Sequence, residues 1–186
     1  MNHARQASTP RLYRYVGAAD ILRYVQGQPG GVPLASPADL DTWRAATAPR
    51  LAPEDPLWAT FVVDAAGLLL VADRHSEHVV CAGGRPVRSA GEIAFTRSPA
   101  SGWVVASVTN QSTGYCPEPE SWPAVAAVLD RISLPHPGGF TTSFIFRRCH
   151  ACAQLNLVKD GDFICAVCGA DLPLSWNLDS PPHMVP

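Results

Sequence analysis

Two short repeats near the end of the chain, Cys149-His150-Ala151-Cys152 and Cys165-Ala166-Val167-Cys168, restrict what this polypeptide can become more than any other feature. A gap of two residues lets one tight turn present both sulfurs to a single ion, and two such turns supply four ligands. Twelve residues separate the pairs. Gln154 to Val158 and Asp162 to Ile164 read as short strands, with the hairpin signal Asp160-Gly161 between them, so the chain doubles back and brings the pairs together. Gly169 follows the last cysteine, where a positive φ is often wanted. Ala153 holds the matching position after the first pair.

Four thiolates at this spacing suit tetrahedral zinc, with an iron centre of the rubredoxin type as the alternative. Residues 147–172 resemble the zinc-ribbon family, which alternates knuckle, hairpin and knuckle. The sulfurs would fill the coordination sphere and leave no place for water or substrate, so the expected metal is structural. In small zinc modules the binding energy is folding energy, on the order of 10 kcal/mol. Arg147, Arg148 and Lys159 are balanced by Asp160, Asp162 and Asp171, which makes nucleic acid an unlikely partner for this segment.

The chain has 186 residues, enough for one domain with a small appendage, and its 47% apolar content can build a core. With 16% charged residues and a net charge of −2, it lacks the totals of a polyanion-binding or membrane-attracted surface. Lys159 is the only lysine, and the arginines are scattered rather than clustered. The first residues contain no apolar signal region, and the longest apolar run, residues 65–72, is too short to span a bilayer. A cytoplasmic location is therefore expected. In a reducing compartment, paired cysteines read as metal ligands before disulfides.

Periodicity predicts a strand at 11–16, a helix at 18–26 and a second helix opened by the capping-box pair Ser36 and Asp39. Strands follow at 59–64, 68–73, 78–82, 92–97 and 103–110, separated by turn signals. Ser121 opens a helix whose face carries Val125, Val128, Leu129 and Ile132, and residues 140–148 read as a last strand. The expected fold class is α+β: an antiparallel sheet with a few packed helices and a C-terminal zinc ribbon. Residues 1–146 form the main domain, 147–176 a ribbon docked on it, and 177–186 a tail.

Between residues 75 and 116 the chain gathers types used in nucleophilic and acid–base chemistry. His75, Ser76, His78, Ser112, Thr113 and Tyr115 are the candidate ligand-binding residues. With Gly83, Gly84, Gly91, Glu92 and Gly114, several of them resemble a core found in plant IQ-motif calmodulin-binding proteins and in bacterial toxin-like domains. That resemblance implies a β-rich fold with a loop-built pocket. It does not carry calmodulin binding, because no IQ-type helix is present. The opening segment, residues 11–22, is similar to the start of ADP-ribosyltransferase-like domains. That likeness implies Arg14 as a nicotinamide-dinucleotide contact, Glu92 as the activating carboxylate and Ser112 or Ser76 as support. Cys81 and Cys116 read as small apolar fillers, with a redox pair as the alternative.

These readings favour a zinc-containing binding or adaptor protein whose partner is a protein or small ligand, without membrane association. An ADP-ribosyltransferase-like enzyme and a nucleic-acid-binding ribbon protein are the alternatives.

Overall fold

The computed structural model describes residues 11–52 and 54–179. The proline-rich end, with His183, lies outside them. The elements in chain order are α1 (Ala19–Val25), β1 (Val32–Leu34), α2 (Pro37–Thr47), β2 (Leu57–Asp64), β3 (Leu69–Asp73), α3 (His78–Cys81), β4 (Val87–Ser98), β5 (Gly102–Val108), a 3-10 turn (Pro119–Ser121), α4 (Trp122–Arg131), β6 (Ile145–Arg148) and β7 (Leu155–Val158). β1 to β5 form one antiparallel sheet in the order β1-β3-β2-β4-β5, and β6 pairs with β7 in a separate two-stranded sheet. This is an α+β fold.

β2 is buried along nearly its whole length, because the sheet is covered on both faces. One face carries Phe61, Val63, Ile93 and Phe95 against Leu40 and Trp43 of α2 and Val125, Val128 and Leu129 of α4. The other carries Val62, Leu70 and Ala90 against Val25, Val79, Tyr13 and Tyr115. The alternation of side chains along a strand sends neighbouring residues Phe61 and Val62 into different cores. The capping box forms as the sequence requires: the Asp39 carboxylate accepts the Ser36 N–H at 2.8 Å. Those contacts hold the Asp39 carboxyl below the usual range, led by the N–H groups of Ala35 and Ser36.

Four expected elements take other forms. Residues 78–82 were expected to be a strand, on the β-branched pair Val79-Val80, but His78–Cys81 is a helical turn. The Asp73 carboxylate and carbonyl capture the His75 and Ser76 N–H groups, and the chain turns before any strand can start. Gly83 and Gly84 end the turn at φ +59° and +72°. β-propensity here yields to burial of Val79 and Cys81 in the second core.

At the N-terminal end, the expected strand at 11–16 reduces to one backbone pair, in which Tyr13 and Val87 exchange both hydrogen bonds at 2.7 and 3.0 Å. The strand expected at 140–148 is continuous only over Ile145–Arg148, which pairs outside the large sheet, while Thr142 makes a single parallel bridge to Thr109 just beyond β5. The buried Asn110 side chain takes both backbone groups of Phe144, accepting its N–H and donating to its C=O, each at 2.7 Å. That side chain satisfies groups that a neighbouring strand would otherwise claim.

The fourth difference concerns the hairpin. β7 pairs with the preceding β6, and the first cysteine pair sits in the connection between them. After the Asp160-Gly161 turn, with both residues at positive φ, the chain makes only single bridges, Lys159 to Asp162 and Ile164 to Asp171.

Candidate metal centre

The two cysteine turns have the same backbone construction. In the first, the Cys149 N–H donates to the Gln154 C=O at 2.9 Å and the Ala153 N–H to the Cys149 C=O at 3.0 Å. In the second, the Cys165 N–H donates to Ala170 at 2.8 Å and the Gly169 N–H to Cys165 at 3.0 Å. The residue after each pair adopts positive φ, +61° at Ala153 and +71° at Gly169. Glycine meets this requirement freely. At Ala153 the left-handed backbone costs about 1–2 kcal/mol.

All four sulfurs lie within 4.8 Å of one another. Two of the separations, Cys149 to Cys168 and Cys152 to Cys165, are 3.6 Å. A tetrahedron with metal–sulfur bonds of about 2.3 Å has edges of about 3.8 Å, so the donor set fits a single ion. Cys149 and Cys165 are buried, and Cys152 and Cys168 are exposed. The Asn156 amide donates to the Cys165 sulfur at 3.6 Å, while its own carbonyl oxygen accepts the Ala166 N–H at 3.0 Å, which ties β7 to the second turn. Backbone N–H groups of Cys168 and Val167 drive the Cys165 thiol down to about 6, so it ionises readily. Cys152 goes up to about 12: the Gln154 N–H lowers it, but burial and the neighbouring thiols outweigh that contact.

Arg147 fastens this segment to the rest of the chain. Its guanidinium meets the Glu118 carboxylate in a two-pronged pair at 2.7 and 2.9 Å, and both side chains are largely shielded from solvent. It also donates to the carbonyls of Phe146, Pro173 and Leu174. Beyond the second cysteine pair, the Trp176 indole N–H donates to the Cys116 C=O at 2.8 Å, and its ring packs edge-on against Tyr13. Asn177 exchanges two hydrogen bonds with the Arg148 backbone.

Most of the candidates between residues 75 and 116 are occupied by structural contacts. Tyr115 is buried and donates its hydroxyl to the Arg85 C=O at 2.8 Å. Ser112, also buried, accepts the Tyr115 N–H. His78 is half-buried, with Nε2 3.0 Å from the Gly91 carbonyl oxygen. Burial holds its pKa below the usual histidine value, opposed by that carbonyl, Glu92 and Glu77. The Ser76 carbonyl accepts the Thr60 hydroxyl, while His75 and Thr113 are exposed on loops.

Glu92 lies in the middle of β4 beside Thr60. Exposed Arg14 follows Tyr13, which pairs with Val87 at the start of that strand. Five residues of strand put about 17 Å between the Val87 and Glu92 backbones, and among the described residues no ion pair joins Arg14 to Glu92. Gly91 has a packing reason: a Cβ there would lie 2.0 Å from the Thr109 carbonyl oxygen. Cys81 and Cys116 sit in different apolar clusters, and burial pushes each thiol up to about 12, as suits fillers rather than nucleophiles.

Sequence reasoning did not find a cleft of about 660 Å³ between the N-terminal segment, the start of α4 and the stretch after the cysteines. Arg11, Tyr13, Arg88, Glu118, Ala124 and Trp176 are among its lining residues. They come from four separate stretches of chain, so no local motif marks them. No helix among the described residues is long and apolar enough to cross a membrane. No family model, curated protein or solved structure matches this chain.

Proposed function

We propose that this chain is a binding protein whose residues 147–176 are a structural zinc ribbon. The ribbon is docked on a main domain of residues 1–146. The observation that carries this reading is the closeness of the four sulfurs, all within 4.8 Å, on two turns of matching construction. Thiolate donors suit zinc, which has no geometric preference of its own and accepts the tetrahedron the turns offer. When bound, the ion would supply cross-linking and no catalysis, because four protein ligands leave no open position. The chain's own part is to orient Cys165 and the second turn through Asn156.

A binding role agrees better with the remaining side chains than turnover does. Among the described residues no ion pair joins Arg14 to Glu92, and Ser112 is committed to a turn. Both arginines of the ribbon are engaged, Arg147 with Glu118 and Arg148 with the Ala153 C=O, and Lys159 is followed by Asp160 and Asp162, which offset its charge. That arrangement favours a protein or small-molecule partner over nucleic acid.

The test is elemental analysis of protein purified without chelators. One zinc per chain is expected, and Cys165→Ser should abolish stoichiometric binding. Finding iron would overturn the zinc assignment, and finding no metal would overturn the ribbon.

A further inference from the structure

From the cleft beside the ribbon we infer a binding site for a small organic monoanion, a carboxylate carried on an aromatic or other apolar body. This rests on the binding role proposed above and names its ligand class. The cleft, at about 660 Å³, has the size of ordinary metabolite sites. Its apolar lining comes from Ala124 and Ala127 of α4, whose small side chains leave room, and from the rings of Tyr13 and Trp176, packed edge-on at 5.4 Å. Such walls stack against a flat apolar body.

The charge at the cleft is positive on balance. Arg11 lies over the Trp176 ring at 4.7 Å, and Arg88 reaches the Ala65 carbonyl oxygen. Neither guanidinium meets a carboxylate in the ion pairs found among the described residues. Two acidic residues also line the space. Glu118 is neutralised by Arg147, and Glu120 is exposed. The first turn of α4 opens onto the same space. A 3-10 turn that carries Glu120 leads straight into it, and the Ser121 hydroxyl is bonded to Ser89. Two arginines set against one unpaired carboxylate favour a single negative charge. A polyphosphate would bring more charge than the site can match and no apolar body for the rings.

The experiment titrates metal-loaded protein with 2-naphthoate, following the indole N–H signal of Trp176 by NMR, assigned with Trp176→Phe. Saturable binding of 2-naphthoate is expected, with no binding of the cation 2-naphthylmethylamine and no competition by inorganic pyrophosphate. Arg11→Gln should weaken binding at least tenfold, and Ala127→Trp, a change on an exposed helix position, should abolish it by filling the cleft. The inference is overturned if 2-naphthoate fails to saturate, if the amine binds as well, if pyrophosphate displaces it, or if Ala127→Trp leaves binding intact. Because zinc content is measured on the same sample, failure here is distinguishable from failure of the ribbon assignment.

Discussion

Among the described residues, nineteen buried apolar side chains pack together on one face of the sheet, from Leu34 to Leu134, whereas around the four cysteines there are three, two of them cysteines, with Val158, Phe163 and Ala170 half-buried beside them. Each fully buried aliphatic or aromatic side chain contributes about 1.5–3 kcal/mol, so the sheet has ample means to offset its chain entropy. Leu172 alone does not give the cysteine segment that capacity. The two regions also differ in their polar contacts. The large sheet satisfies its backbone through ladders of five strands, while the cysteine segment has one short ladder, β6 with β7, and otherwise relies on turn hydrogen bonds and on side chains such as Asn156 and Arg147. A short segment can thus hold one conformation when cross-linking replaces burial. It should then depend on the cross-link in a way the sheet does not.

Metal removal tests that difference most severely. Chelation, or Cys165→Ser, should remove stabilisation on the order of 10 kcal/mol from the ribbon. Hydrogen exchange should show protection lost across residues 145–172 and retained in β2 and β4. Parallel loss in both regions would mean that they fold as one unit and that the contrast fails.

A smaller effect is expected at the joint between them. Glu118→Ala leaves the Arg147 guanidinium shielded from solvent without its partner, and should cost about 3–5 kcal/mol in denaturant unfolding. A cost near zero would show that the ribbon is held by its carbonyl and tryptophan contacts alone.

His78 sharpens the sheet side of the comparison. Burial keeps its folded pKa below the ordinary value near 6.5, so the unfolded chain takes up the proton first as pH falls. The stabilising contribution is complete above about pH 6.5 and is lost as pH drops through the folded pKa, at no more than about 1.4 kcal/mol per pH unit. Thermal melts at several pH values should show His78→Gln with a shallower acid loss than the parent. Equal slopes would refute the assignment.

Ala153→Gly carries the smallest change. Relief of the left-handed backbone should strengthen the first cysteine turn by about 1 kcal/mol, roughly fivefold in a metal-competition assay against a chelator. An unchanged affinity would mean the turn absorbs the strain elsewhere.

Much of this protein is written locally. The cysteine spacing announces the cluster because two-residue gaps act within one turn. Ser36 and Asp39 announce α2, and the apolar face from Val125 to Ile132 announces α4. Asp160-Gly161 and Gly169 announce the positive-φ positions they occupy. Where the reading went astray, a distant group decided the outcome. The Asn110 side chain took the Phe144 backbone from a strand, and burial of Val79 and Cys81 folded a β-branched run into a helical turn. β6 became the partner of β7 because the first cysteine turn brings them side by side.

What the amino-acid order determined by itself is whatever acts over a few bonds: caps, turns, ligand spacing and the apolar period of each element. The tertiary structure alone decided which residues share a space. It committed Tyr115 to the core and Ser112 to a turn, left His75 and Thr113 exposed, and assembled a cleft from Arg11, Arg88, α4 and Trp176. The physical reason is that burial and long-range hydrogen bonding depend on which chain segments meet. That becomes fixed only when the cores on the two faces of the sheet close.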